Sequence, residues 1–142
     1  MTDAHKIDIN VETHYIANNS NPAEHSFVFA YVITITNAGT VGVQLMTRHW
    51  IITDGNGEVE HVRGDGVVGE QPHLMPGHSF EYTSGAVLET PVGTMKGSYQ
   101  MVTDEGESFD AEIPQFVLSA HSTLHINPNL SLIRISEPTR PY

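Results

Sequence analysis

The sequence predicts an all-β protein, an immunoglobulin- or fibronectin-III-like β-sandwich of about seven or more antiparallel strands. Short runs rich in β-branched and aromatic residues alternate apolar with polar side chains. Turn signals rich in Gly, Pro and Asn separate these runs. No apolar pattern with helical spacing extends over a dozen residues, so no substantial helix is expected. At 142 residues the chain has the usual size of one domain with one core.

The first half of the chain contains the clearest strands. Residues 7–15 alternate apolar and polar side chains, which predicts a strand with one face in water. The run 27–36 is β-branched and aromatic on both faces and predicts a central strand. Residues 43–53 predict a third strand. The turn residues 54–57 then form a hairpin signal that should return the chain through residues 58–63.

The second half repeats the alternation of turn and strand. Turn signals precede three further apolar segments, at residues 80–82, 95–102 and 109–113. Trp50 lies on the predicted third strand, and Tyr99 stands two residues before Met101, which is the spacing of a tyrosine corner. Both features favour an immunoglobulin-like sandwich over a barrel, although simple filling of the core explains a Trp or a Tyr equally well.

Charge and composition exclude several classes of function. The 17 acidic and 6 basic residues give a net charge of -11, which would repel a polyanion. The basic residues are scattered singly, so neither nucleic acid nor an anionic membrane is expected as a partner. The chain has no cysteine, which rules out disulfides and thiolate chemistry. No leader pattern and no apolar run of spanning length is present, and we expect a cytoplasmic protein without a cofactor.

The most conspicuous motif is Gly64-Asp65-Gly66-Val67-Val68-Gly69, which has the spacing G-x-G-x-x-G. A dinucleotide-binding site needs a helix directly after such a loop, and Pro72 and Pro76 forbid a helix of useful length there. Two interpretations remain open. The glycines could serve a tight loop or bulge that requires positive φ. Alternatively, their amides could form an anion-binding nest, which Arg63 would favour and Asp65 and Glu70 would oppose.

Arg48 and Trp50 complete the set of candidate ligand-binding residues. They stand two positions apart on one strand, so an inward-facing Trp50 requires an inward-facing Arg48 unless a bulge intervenes. A guanidinium near an indole and the glycine loop could form a small recognition patch. The alternative is that the Arg48 stem packs on the protein while its head pairs with a carboxylate. The candidates are thus Arg48, Trp50, Arg63, Gly64, Asp65, Gly66, Gly69 and Glu70.

Metal binding and catalysis find little support in the sequence. Four of the nine histidines fall in the middle of the chain, at His49, His61, His73 and His78, but their spacings match no metal motif, and no metal site is predicted. Ser84 lacks the G-x-S-x-G pattern of a nucleophile elbow. We therefore expect no catalytic residues.

Long stretches of the sequence resemble the ApaG family. The resemblance rests on Phe27-Val-Phe-Ala-Tyr31, Ile33-Thr-Ile-Thr-Asn37, Trp50-Ile-Ile-Thr-Asp-Gly-Asn-Gly57, Gly64-Asp-Gly-Val-Val-Gly-Glu-Gln-Pro72, Phe80-Glu-Tyr-Thr-Ser-Gly85, Thr90-Pro-Val-Gly-Thr-Met95 and Gly97-Ser-Tyr-Gln-Met101. It implies a fibronectin-III-like sandwich that occurs alone in bacteria and as a module in eukaryotic F-box and polymerase-delta-interacting proteins, where it resembles an interaction domain. The family is also associated with cobalt resistance and magnesium efflux. No catalytic residues come with the resemblance.

The resemblance divides the chain into an ApaG-like domain at residues 1–125 and an extension at residues 126–142. The extension lies past the usual end of the family, and we expect it to be disordered or to add a strand to a sheet edge. The preferred function is a non-catalytic protein-interaction module, with the sheet edges open to homodimer formation. The alternative is a site at Gly64–Gly69 for a small anionic ligand, such as a pyrophosphate-containing compound, or for a divalent metal.

Overall fold

A computed structural model describes residues 5–121 of the protein. They form eight β-strands: β1 (Ile7–Tyr15), β2 (Phe27–Asn37), β3 (Val43–Asp54), β4 (Val59–Asp65), β5 (His73–Leu74), β6 (Ser79–Leu88), β7 (Val92–Thr103) and β8 (Ser108–Ser119). The helical residues within these bounds are confined to short 3₁₀ turns such as Ala17–Asn19 and Pro22–Glu24. All the predicted strands are present, while the two-residue strand β5 was not predicted. The predicted extension at residues 126–142 lies outside the described residues.

The strands pair into two antiparallel sheets. One sheet has the order β1-β2-β6, and the other has the order β4-β3-β7-β8 with β5 paired to β3. This arrangement confirms the predicted all-β sandwich and its hairpin between β3 and β4. It also confirms β2 as a central strand, since β2 is paired on both sides.

The core lies between the two sheets. Alternate residues of β2 point into it, including Phe29, Ile33 and Ile35, each at most 1% exposed. Leu45 and Leu118 of the five-stranded sheet are completely buried opposite them. Burial of each such side chain contributes roughly 1.5–3 kcal/mol, so this layer holds the two sheets together.

Tyr99 contributes to the core in a way that the tyrosine-corner spacing did not predict. The residue is fully buried in the middle of β7, and its hydroxyl lies 2.7 Å from the hydroxyl of Tyr82 on β6. A tyrosine corner instead bonds to backbone a few residues upstream. Tyr99 therefore joins the two sheets through a side-chain hydrogen bond.

A β-bulge in β3 reverses the faces of that strand. The ladder between β3 and β7 pairs Leu45 with Met101 and then Thr47 with Gln100, so Met46 is an extra residue. Leu45 and Trp50 both point into the core although an odd number of positions separates them. Since the bulge lies before Arg48 and not between Arg48 and Trp50, both of these side chains face inward.

The sandwich is closed along one side and less tightly joined along the other. Strands β1 and β8, which are edges of different sheets, lie against each other. The opposite edges are β4 and β6, and the two sheets share no hydrogen-bonded ladder there. We call this line between β4 and β6 the open seam.

Candidate functional site

A crevice of about 100 Å³ enters the sandwich at the open seam. Its polar lining comes from Tyr31, Arg48, Tyr82 and Ser84, and its apolar lining includes Trp50, Val62, Val68 and Met95. Both sheets contribute, since Tyr82 and Ser84 are adjacent inward positions of β6 while Arg48 and Trp50 are adjacent inward positions of β3. The crevice therefore places one cation among hydroxyl groups and apolar walls.

Backbone carbonyl groups hold the Arg48 side chain in the crevice. Its Nη1 donates hydrogen bonds to the carbonyl oxygens of Asp65 at 3.0 Å and of Gly66 at 2.8 Å. The salt bridges among the described residues all involve histidine, so no carboxylate in that part of the chain neutralises Arg48. Arginine also carries N–H donors on Nε and Nη2. The described residues leave those donors without an acceptor.

Gly64 makes this position of Arg48 possible. A Cβ atom at residue 64 would lie 2.7 Å from Nη2 of Arg48 and 2.8 Å from its Cζ. These distances are shorter than van der Waals contact, so any side chain at residue 64 would displace the guanidinium. Gly64 is paired directly with Arg48 in the ladder between β3 and β4. The first glycine of the motif thus provides space for an arginine.

The other two glycines of the motif shape the turn at the rim of the crevice. Gly66 has φ +62°, and a Cβ there would collide with the carbonyl oxygen of Glu70. Gly69 has φ +82°. It lies in a turn closed by two hydrogen bonds, from the Val67 amide to Glu70 at 2.8 Å and from the Glu70 amide to Val67 at 2.9 Å. Both glycines occupy backbone conformations that disfavour side chains.

These hydrogen bonds leave few amides in the loop for an anion. The Gly66 amide donates to the Met46 carbonyl at 2.9 Å, and the amides of Val67 and Glu70 are bonded within the turn. Among the described residues, only the amides of Val68 and Gly69 in this turn have no acceptor. The short strand β5, rather than a helix, follows the motif. The geometry therefore corresponds to the tight-loop interpretation of the sequence, with positive φ at two of the three glycines.

Val68 carries backbone strain at the rim of the crevice. Its φ is +42°, a conformation that a β-branched residue rarely adopts. Its side chain is 52% exposed and lines the crevice opening. Strained residues of this kind cluster at binding sites, where surrounding structure holds them in place.

Tyr82, a buried residue of the crevice lining, is hydrogen-bonded to the buried Tyr99. Burial raises the pKa of Tyr82 and of Tyr99 well above the ordinary tyrosine value, and the positive charge of Arg48 acts in the opposite direction. Both hydroxyls therefore stay protonated at neutral pH. They serve as neutral hydrogen-bonding groups, and Trp50 packs edge-on against Tyr99 with ring centroids 6.5 Å apart.

The structure places the remaining predicted site residues outside the crevice. Arg63 and Asp65 are exposed and line a shallow groove on the outer face of the five-stranded sheet, together with His49. Glu70 is exposed at the end of the turn. Arg48 and Trp50 are therefore brought together, with Gly64 supporting the arginine, whereas Arg63 lies on the opposite face of the sheet.

A histidine pair lies next to this outer groove. Nε2 of His49 and Nδ1 of His61 are 2.9 Å apart, and the rings stack with centroids 5.1 Å apart. Desolvation lowers the pKa of His49, and the neighbouring charges of Arg63 and His61 lower it further. Within residues 5–121, no group of three or more His, Asp or Glu side chains is arranged to hold a metal ion.

Sequence reasoning missed the contribution of the three-stranded sheet. Tyr31, Tyr82 and Ser84 line the crevice, yet about thirty residues or more separate Tyr82 and Ser84 from Arg48 along the chain. The sequence does contain one usable signal. Tyr82 and Ser84 stand two positions apart, as do Arg48 and Trp50, so each pair places polar groups on one face of its strand. Nothing in one sequence indicates that those two faces meet.

The fold places the chain in the class of small antiparallel β-sandwich domains. A family model described as the ApaG domain matches residues 17–103. Protein ApaG of Thiobacillus denitrificans is 58% identical over 121 residues, covering 85% of this chain and 95% of that protein. Protein ApaG of Aromatoleum aromaticum is 55% identical, covering 88% of this chain and 100% of that protein. The chain belongs to the ApaG family.

A solved structure supports the same assignment. A Bordetella pertussis protein solved under the name ApaA is 45% identical in sequence and superimposes with a TM-score of 0.83. The match covers 87% of this chain and 100% of that chain. The described residues contain no helix with the length and apolar character needed to cross a membrane.

Proposed function

We propose that this protein is a non-catalytic interaction module of the ApaG type, acting in the cytoplasm, that binds a partner protein at the crevice of the open seam. The observation that carries the proposal is the half-buried guanidinium of Arg48, which is fixed by backbone carbonyls but has no carboxylate partner among the described residues. A charge withdrawn from water is costly unless a group of opposite charge compensates it. A bound partner would supply that compensation.

The surface around the crevice supports a partner of protein size. Val59, Val68 and Val87 are 56%, 52% and 45% exposed, and each lies at the open seam or in the groove that continues along it. Exposed apolar side chains grouped in this way mark interaction surfaces more often than isolated ones do. The pyrophosphate alternative is weaker, because three amides of the glycine loop are already hydrogen-bonded.

Site-directed photocrosslinking tests the proposal. The photoreactive residue p-benzoylphenylalanine would replace Val68 at the rim, and in a matched variant it would replace Val117 on β8. The two valines are equally exposed, at 52% and 53%. Val68 follows β4 at the open seam, whereas Val117 is on β8, the opposite edge strand of the five-stranded sheet. We expect a defined crosslinked protein from position 68 in cells and none from position 117.

A second pair of variants links the crosslink to the crevice. Ser84→Trp would fill the crevice, whereas Thr83→Trp on the adjacent position would place the same ring on the opposite face of β6. The crosslink from position 68 should disappear with Ser84→Trp and persist with Thr83→Trp. Identical crosslinks from positions 68 and 117, or no effect of Ser84→Trp in a folded protein, would refute the proposed site.

A further inference from the structure

We infer that the crevice recognises a carboxylate group carried on a short apolar stem. The inference rests on the proposed function, since it specifies the chemistry by which a partner would be held. Arg48 is the cation in the crevice lining, and Ser84 places a hydroxyl group in the same lining. Trp50, Val62 and Met95 supply apolar walls.

The guanidinium has the free donors that a carboxylate requires. Nη1 is committed to the carbonyls of Asp65 and Gly66, which leaves the edge formed by Nε and Nη2. A carboxylate accepts two parallel hydrogen bonds from such an edge, and this bidentate pairing is strong because both partners are charged. The two carbonyls and the Gly64 backbone already fix the orientation of the guanidinium. Little side-chain freedom would then be lost on binding, which favours affinity.

Size and charge favour a carboxylate over a phosphate. The crevice has a volume of about 100 Å³, and most of its lining residues are apolar. One guanidinium compensates one negative charge, whereas a phosphate carries nearly two at neutral pH. The net charge of -11 further disfavours a highly charged anion. An aliphatic stem of a few carbon atoms would contact the indole and the valines.

NMR titration of the full chain with butyrate tests the inference, and butyramide serves as the neutral probe of the same shape. Butyrate should shift the Nε–H resonance of Arg48 and the amide resonance of Ser84, with saturation in the millimolar range. Butyramide and inorganic phosphate should bind at least about tenfold more weakly, the equivalent of about 1.4 kcal/mol. Equal binding of butyrate and butyramide would overturn the inference, and this comparison needs no variant.

Variants assign the binding to the guanidinium. Arg48→Lys keeps the charge but loses the bidentate geometry, and should weaken butyrate binding about tenfold. Arg63→Gln removes a charge from the outer face of the neighbouring strand and should leave binding unchanged. Unchanged binding in a folded Arg48→Lys protein, or equal loss in Arg63→Gln, would contradict the assignment.

Two pairs of peptides identify the source of the carboxylate. One pair is acetyl-Gly-Gly-Val as the free acid and as the amide, and the other is acetyl-Gly-Glu-Gly-amide and its Gln counterpart. Preference for either acid over its neutral control supports the inference and shows whether a chain terminus or a side chain is bound. If neither acid is preferred while the crosslink at position 68 still depends on an open crevice, the interaction module stands and the carboxylate inference fails.

Discussion

Arg48 keeps its place because residue 64 has no side chain. The guanidinium occupies the space that a Cβ of residue 64 would need, and its Nη1 binds the two carbonyls that follow. Glycine motifs are commonly interpreted through backbone flexibility or phosphate contact. At Gly64 the reason is instead the close approach of a side chain from the neighbouring strand.

Substitution of Gly64 separates the site from the fold. Gly64→Ala should displace Arg48 and abolish butyrate binding, while the free energy of unfolding changes by no more than about 1 kcal/mol. A small change is expected because alanine fits a strand better than glycine and so offsets the lost hydrogen bonds. Urea unfolding and the Arg48 Nε–H resonance are the measurements.

Gly69→Ala is the matched comparison, since Gly69 has φ +82° and no atom within 4 Å of a Cβ. This variant should lose roughly 1–2 kcal/mol through backbone strain alone. A Gly64→Ala protein that keeps the wild-type Nε–H shift would show that Arg48 does not depend on residue 64.

The histidine pair gives the protein a pH-dependent contribution to stability. The pKa of His49 is lowered from 6.5 in the folded state, so the unfolded chain binds more protons near that pH. Stability from His49 is therefore fully present above pH 6.5 and declines as the pH falls toward the lowered folded pKa. The contribution of His49 to the free energy of unfolding, obtained from urea unfolding of the wild type and of His49→Gln between about pH 5 and 8, should fall with decreasing pH.

His49→Gln should reduce the slope of that pH dependence. His78 lies outside the pair, and His78→Gln is a suitable control that should leave the slope close to that of the wild type. An NMR titration in which His49 in the folded protein has a pKa at or above 6.5 would contradict this prediction.

The elements that position the site are a bulge and a strained turn. The bulge at Met46 turns Arg48 inward, and the turn at residues 67–70 carries Val68 to the rim with positive φ. Both depart from regular β geometry, and both lie next to the crevice. Departures of this kind need compensation from the surrounding structure and commonly accompany function.

Relief of the strain at Val68 should raise stability and reduce binding. Asn tolerates positive φ far better than a β-branched residue, so Val68→Asn should increase the free energy of unfolding by about 1 kcal/mol. Butyrate binding should weaken, because an apolar wall of the crevice is lost. Val59→Asn, at a similarly exposed valine in extended β4, should give no gain in stability. A lower stability of Val68→Asn in urea unfolding would argue against strain at this residue.

The local pattern of apolar and polar residues predicted the long strands better than it predicted the short strand β5 or the bulge in β3. The prediction of a strand at residues 7–15 is confirmed by β1, because the alternation of apolar and polar side chains directly indicates which face of a strand is buried. Strand β5 was missed, since two residues carry no periodicity and their pairing with β3 depends on tertiary contact. The sequence leaves a bulge near Arg48 open, but one extra residue leaves no mark on composition, and only the ladder between β3 and β7 shows that the bulge lies before Arg48. The crevice could not be predicted from local pattern, because residues of both sheets line it.

At the scale of the whole molecule, strands distant in sequence form the sandwich. Strand β3 pairs with β7, and β2 pairs with β6, across long intervening segments. Closing such loops costs conformational entropy before the contacts form, so proteins of this topology fold slowly. Refolding should therefore take milliseconds to seconds. Stopped-flow fluorescence is suited to the measurement because Trp50 is the single tryptophan and is 2% exposed. Complete refolding within the microsecond range would contradict the expectation.

The bulge at Met46 also determines which kind of genetic change could remove the site. Deletion of Met46 would leave every crevice residue in the chain and would not change the net charge. It would, however, remove the bulge. The side chains of β3 on one side of the deletion would then exchange their inward and outward positions. Arg48 and Trp50 could then not share the interior with Leu45. A single-residue deletion should thus be more damaging here than almost any point substitution, and relatives that keep the crevice should tolerate exchange of Met46 but not its loss.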